Sequence, residues 1–183
     1  WSAGWPVSRL NRGIEIINVE PGNTEGRNYS IVIDVGTTTV CAQALDLANC
    51  SIVKAAERKD NGLDLCTLAE SSDYNSQIRY GEDVIARIMY SQKRGGLEKL
   101  QKAVVKTMNG LIKELLDTGN IEAKDITHIV CAGNTTMTHL LLGISPKYIM
   151  LAPYTPVLTS GVSGFAAHGG ATVGNGVPQA CGE

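Results

Sequence analysis

Two short polar stretches contain the residue types that bind phosphate. The first is Asp34-Val35-Gly36-Thr37-Thr38-Thr39, set between apolar runs that begin at Ile31 and Val40. Glycine takes backbone angles denied to other residues and lets a ligand come close. A turn at Gly36 would present backbone N–H groups and threonine hydroxyls, all suitable partners for phosphate oxygens. Asp34, at the end of its strand, could hold hydrated magnesium, which favours a carboxylate, waters and phosphate oxygens. The same spacing also suits a polar hairpin whose threonines only cap the turn. The second stretch is Gly133-Asn134-Thr135-Thr136-Met137-Thr138-His139. Asn134 is a good helix N-cap, and a polar helix N-terminus favours an anion. An ordinary capped helix accounts for these residues as well. His139 reads more simply as a packed or surface side chain than as a base.

The elements that must position these stretches follow from periodicity. Ile31 to Asp34, Val40 to Leu47 and Ser51 to Arg58 read as three strands joined by short polar turns, an antiparallel meander. Residues 60 to 72 fit either a loop or a poorly formed helix. Val84, Ile85, Ile88 and Met89 fall at helical spacing, giving a helix over Glu82 to Gln92 with Glu82 and Asp83 in its first turn. Asn75, Gln77, Arg79 and Tyr80 precede it as a dense polar cluster, suited to capping a helix or to serving a site. After Gly95-Gly96, the stripe Leu97, Leu100, Val104, Met108, Leu111, Leu115 predicts a long amphipathic helix ending near Gly119. Lys99, Lys102, Lys106 and Lys113 form its solvated face. Asp125 to Ala132 reads as a further strand. If that strand neighbours the first, both polar turns open at one edge of the sheet.

Composition narrows the classes of partner. The chain has 183 residues, 43% of them hydrophobic and 19% charged, with a net charge of −2. That balance suits a globular domain and offers no electrostatic footprint for nucleic acid or a membrane surface. No apolar run approaches the ~20 residues that span a bilayer. The start, with Trp1, Trp5 and Pro6, lacks the pattern of a signal peptide. The chain has no initiating Met and is expected to be a fragment or a processed piece. Its five cysteines are scattered, with no cluster-type spacing, and are expected as buried or free thiols in a cytoplasmic protein. Residues 1–28 read as a linker or the end of an upstream region, with one strand at Ile14, Ile16 and Ile17. Residues 158–183, rich in Gly and Ala, read as a flexible or truncated tail.

Taken together, the motifs resemble a known family. Asp34-Val-Gly36-Thr37-Thr38-Thr39 looks like the first phosphate loop of the actin, sugar-kinase and heat-shock-chaperone ATPase superfamily. Asn75-x-Gln77-x-x-Tyr80-Gly81-x-Asp83-Val84-x-x-Arg87-Ile88, the block Ala132 to Gly143, and Ala152-Pro153-Tyr154-x-Pro156 then follow in order. The series, over Tyr29 to Val157, resembles the reductive activators of corrinoid-dependent enzymes.

The resemblance implies an α/β fold, an actin-like (ribonuclease H-like) first ATPase subdomain with a mixed sheet, an antiparallel meander and flanking helices. It implies ATP and Mg2+ as cofactors, with Asp34 positioning magnesium and Gly36, Thr37, Thr38 and Thr39 cradling phosphate. Gly133, Asn134 and Thr135 would sit across the same cleft. Residues Asn75 to Asp83 would form a family-specific wall facing a partner. The implied function is nucleotide binding within an ATP-dependent activator that returns a Co(II) corrinoid protein of a methyltransferase system to Co(I). The iron–sulfur cluster of such activators would belong to a domain absent from this chain, and the resemblance allows a homodimeric parent. Two alternatives stand beside it: a small-molecule kinase relative, with Asp83 its one evident candidate base, and a non-catalytic interaction module docking through the polar block.

Overall fold

Alternation of large and small apolar residues builds the central sheet. In the computed structural model, which describes residues 7–10, 13–16, 22–23, 26–49 and 66–158, strand β3 (Tyr29–Val35) pairs antiparallel with β4 (Thr39–Asp46). Ile31, Ile33 and Val35 lie opposite Ala44, Ala42 and Val40. All six are buried and face one side, so each isoleucine packs beside an alanine without crowding. A separate hairpin, β1 (Val7–Leu10) with β2 (Gly13–Ile16), precedes them. It includes the strand expected at Ile14 and Ile16.

The third strand of the meander is β5 (Thr67–Tyr74), antiparallel to β4. The sequence left this stretch between loop and helix. Along β5 only Ala69 is fully buried, so no period-two apolar pattern marks it, and pairing with β4 decides its form. The strand expected at residues 51–58 and the tail after Leu158 lie outside the described residues. Strand β6 (Ile126–Gly133) joins β3 in parallel, giving the order β5-β4-β3-β6. This mixed α/β sheet with its meander is the arrangement expected of the actin-like subdomain.

Helices cover the apolar face. Helix α1 (Val84–Ser91) is capped by Asp83, whose carboxylate accepts from the Ala86 N–H at 2.6 Å. Asp83 is thus the N-cap rather than a first-turn residue. Helix α2 (Gly96–Gly119) buries Leu100, Val104, Met108, Leu111 and Leu115 as its stripe predicts. The four lysines off the stripe are exposed. Asn120, in the left-handed conformation, ends the helix. Helix α3 (Thr135–Leu142) follows β6 directly and contributes Met137 and Leu140 to the core. A short helix, α4 (Lys147–Met150), completes the set.

The α2 stripe and the β3–β4 face form one core. Met108→Ala, at a fully buried position, is expected to destabilise the protein by about 2–5 kcal/mol. Lys106→Ala on the exposed face is expected to stay within about 0.5 kcal/mol of wild type. Urea unfolding monitored by circular dichroism checks both values.

Candidate functional site

The parallel pairing of β3 with β6 brings the two polar turns together. Val35 lies opposite Gly133, so both strands deliver their following residues to the same edge. There Asn134 Nδ2 donates to Thr37 Oγ1 at 3.3 Å, joining turns 97 residues apart. Gly36 owes its place to close approach: a Cβ there would lie 2.5 Å from the Thr39 carbonyl oxygen. The left-handed glycines among the described residues are Gly22, Gly95 and Gly143, so Gly36 supplies space rather than an unusual backbone angle. At Gly133 a Cβ would come within 3.1 Å of the Val35 carbonyl oxygen.

Asp34 points to the face of the sheet opposite the core, between Cys41 of β4 and Ala132 of β6. It is exposed. Among the described residues its carboxylate makes neither an ion pair nor a hydrogen bond. Thr38, Thr39, Asn134 and Thr135 are exposed, and Thr37 is half-buried. Asn134 caps α3 by accepting from the Met137 N–H at 3.0 Å. The N–H groups of Thr135 and Thr136 remain at the helix N-terminus, where the dipole is positive.

Behind the first turn lies a buried polar network. Asn75, Gln77 and Arg87 are all 0% exposed. Arg87 donates from Nε to the Gly81 carbonyl at 2.9 Å and from Nη2 to the Thr37 carbonyl at 2.6 Å. Its Nη1 contacts Gln77 Oε1 at 3.2 Å and Met137 Sδ at 3.3 Å. Asn75 donates from Nδ2 to the Gly36 carbonyl at 2.8 Å, and its backbone N–H donates to the Thr38 carbonyl at 2.8 Å. Gln77 Nε2 reaches the Leu100 carbonyl in α2 at 3.0 Å. Desolvation pulls the Arg87 pKa below its ordinary value, while the charge on Asp83 pulls it back up. Hydrogen bonds to a charged group contribute about 1.5–3 kcal/mol each, which offsets part of the cost of burying the guanidinium.

This network corrects the sequence reading. Asn75 and Gln77 lie in the core and take no part in an exposed wall; within the expected stretch Asn75 to Asp83, the exposed residues are Arg79, Glu82 and Asp83. Arg87 went unassigned in the sequence, although its position marks it. Val84, Arg87, Ile88 and Ser91 share one helical face, and Arg87 and Ile88 are buried. Ile85 and Met89, expected on the packed face, are 58% and 59% exposed.

His139 is packed, with Nδ1 2.7 Å from the Thr135 carbonyl and Nε2 accepting the Leu158 N–H at 3.2 Å. Those contacts fix the proton on Nδ1. Cys41 and Cys131 are free and exposed, whereas Cys66 is disulfide-bonded, against the expectation of free thiols. No helix among the described residues is long and apolar enough to cross a membrane.

A family model described as the RACo middle region matches residues 29–178. The chain belongs to this family. The RACo middle region match begins where the motif series does and runs beyond Val157. The corrinoid activation enzyme RamQ of Eubacterium limosum is 33% identical over 144 residues, covering 78% of this chain and 22% of that protein. A solved structure of a reductive activator for corrinoid, iron–sulfur protein matches with a TM-score of 0.69 and 39% identity, covering 82% of this chain and 22% of that one. The chain thus spans about a fifth of the length of these relatives.

The space around Gly36 yields a direct check. Gly36→Ala forces the turn backbone apart and is expected to cost about 1–3 kcal/mol of stability. Gly133→Ala, with its wider clearance, is expected to cost less. Guanidinium denaturation of the two variants side by side tests the order.

Proposed function

We propose that this chain forms one wall of the nucleotide site of an ATP-dependent reductive activator, a protein that helps return a Co(II) corrinoid protein to Co(I) for methyl transfer. The observation that carries the reading is the Asn134–Thr37 hydrogen bond, which sets two Gly/Thr-rich turns against each other at one sheet edge. The similarity to corrinoid activation proteins supports the role of the whole molecule.

In this reading Thr37 and Thr38 offer backbone N–H groups and hydroxyls to the phosphates, and Thr135 at the N-terminus of α3 adds positive dipole from across the cleft. Asp34 would hold magnesium through water. The donor set fits: a carboxylate unpaired among the described residues, followed by threonine hydroxyls, suits an ion that keeps most of its waters and takes phosphate oxygens. Bound magnesium supplies charge neutralisation of the phosphates. The electron that reduces cobalt comes from an iron–sulfur cluster elsewhere in the activator, and the corrinoid protein is the partner.

The geometry counts against the two alternatives. A small-molecule kinase needs a carboxylate free to act as base, and Asp83 is engaged as the cap of α1. A docking module built on the polar block would have only Arg79, Glu82 and Asp83 as exposed side chains, since Asn75 and Gln77 are buried.

Calorimetric titration of the full-length protein with ATP, with and without magnesium, tests the proposal. Wild type is expected to bind Mg-ATP saturably. Asp34→Asn is expected to weaken binding by about tenfold or more when magnesium is present, and far less when it is absent. Thr37→Ala is expected to weaken both. No saturable binding at millimolar Mg-ATP sinks the reading.

A further inference from the structure

Three successive carbonyls of the first turn are held from behind. Gly36 O accepts from Asn75 Nδ2, Thr37 O from Arg87 Nη2, and Thr38 O from the Asn75 N–H. The only cis peptide among the described residues is Ala152–Pro153, so the peptides of this turn are trans. In a trans peptide the N–H points opposite to the C=O. With the Gly36 and Thr37 carbonyls turned inward, the amides of Thr37 and Thr38 point away from the buried network. Neither amide has a recorded hydrogen-bond partner among the described residues.

We propose that Arg87 is a positioning residue of the phosphate turn. With Asn75, it locks the carbonyls inward so that the Thr37 and Thr38 amides are already aimed at a phosphate group. The inference rests on the nucleotide-site reading above and assigns a task to a residue that touches no ligand. Arg87 also acts through its charge. No carboxylate among the described residues lies within ion-pair distance of it. Its positive charge therefore polarises the Thr37–Thr38 peptide from the carbonyl side and makes the Thr38 N–H a stronger donor. Gln77 fixes the guanidinium from the other side and is itself tied to Leu100 in α2. The fork geometry matters: Arg87 reaches Gly81, Gln77 and Thr37 at once, which the point charge of a lysine does not reproduce.

A purely structural role for Arg87 makes a different prediction, so the test separates stability from binding. In the full-length protein, Arg87→Gln and Arg87→Lys are titrated with Mg-ATP beside Val104→Ala, a core variant away from the turn. All are checked by far-UV circular dichroism and Tm. The Arg87 variants are expected to lose at least about tenfold in affinity, the scale of one charge-assisted hydrogen bond. Val104→Ala is expected to lose Tm while keeping wild-type affinity. Hydrogen exchange adds a measurement that needs no variant: saturating Mg-ATP is expected to protect the wild-type peptide spanning residues 36–39. A folded Arg87→Gln protein with wild-type affinity overturns the inference and leaves the nucleotide site standing. If the Arg87 variants do not fold, absence of ATP-dependent protection at 36–39 in wild type overturns it instead. A wild type that binds no Mg-ATP removes the site and the inference together.

Discussion

A fully buried guanidinium is the constraint around which this structure is arranged. Removing such a charge from water is expensive, and the usual remedy is a buried carboxylate. Arg87 has none within ion-pair distance among the described residues. Its donors are met by two backbone carbonyls, a side-chain amide and a thioether, drawn from three separate segments: the turn after β3, the stretch Gln77–Gly81, and α3. Each segment must therefore stay in place for the charge to be tolerated. The turn after β3 is one of them, so its conformation is tied to the interior rather than left to a flexible hairpin.

The rest of the fold serves that arrangement. The packed face of the sheet, Ile31, Ile33 and Val35 against the α2 stripe, supplies a rigid base. The 3-10 turn Ser76–Tyr80 is pinned to α2 by Gln77 and by Ser76, whose N–H donates to Thr107 Oγ1 at 3.3 Å. Asn75 begins that turn, and through it the Gly36 and Thr38 carbonyls are referenced to the long helix. A turn anchored in this way resists the local opening common in surface loops. On the nucleotide-site reading its amides then need little reordering to meet a phosphate, which is the physical content of preorganisation.

The legible parts of the sequence were those governed by local pattern. The α2 stripe from Leu100 to Leu115, the strand–turn–strand around Gly36 and the Asn134 cap each announce themselves within a few residues. The meeting of the two turns was legible as a condition, since it required only that β3 and β6 be neighbours. The rest depends on contacts distant in sequence. Strand β5 carries one buried alanine among seven polar or exposed residues, so only its pairing with β4 makes it a strand. The polar block at Asn75 read as surface because polar residues are mostly exposed. The burial of Asn75 and Gln77 follows from the partners they find in Gly36 and Arg87, which no local pattern announces. Arg87 itself stood at a core position of α1, but an arginine there breaks the apolar pattern that identifies such positions, and Ile85 and Met89 gave a misleading stripe.

The two faces of the sheet divide the labour. Side chains alternate along β3, so the residues that hold the fold, Ile33 and Val35, flank the one that faces outward, Asp34. The acid is thus fixed by packing yet free of partners among the described residues, a combination that a loop residue would not secure. The same open face continues across β6, where Val130 is 53% exposed. Such a surface sets a limit on what one wall achieves. Charge stabilisation strong enough for phosphoryl chemistry needs a site from which water is excluded, and an exposed Asp34 beside an open turn remains in contact with solvent. On the nucleotide-site reading, this chain orients phosphate and metal without enclosing them. The same reading assigns completion of the site to residues outside this chain, which spans about a fifth of the length of its relatives.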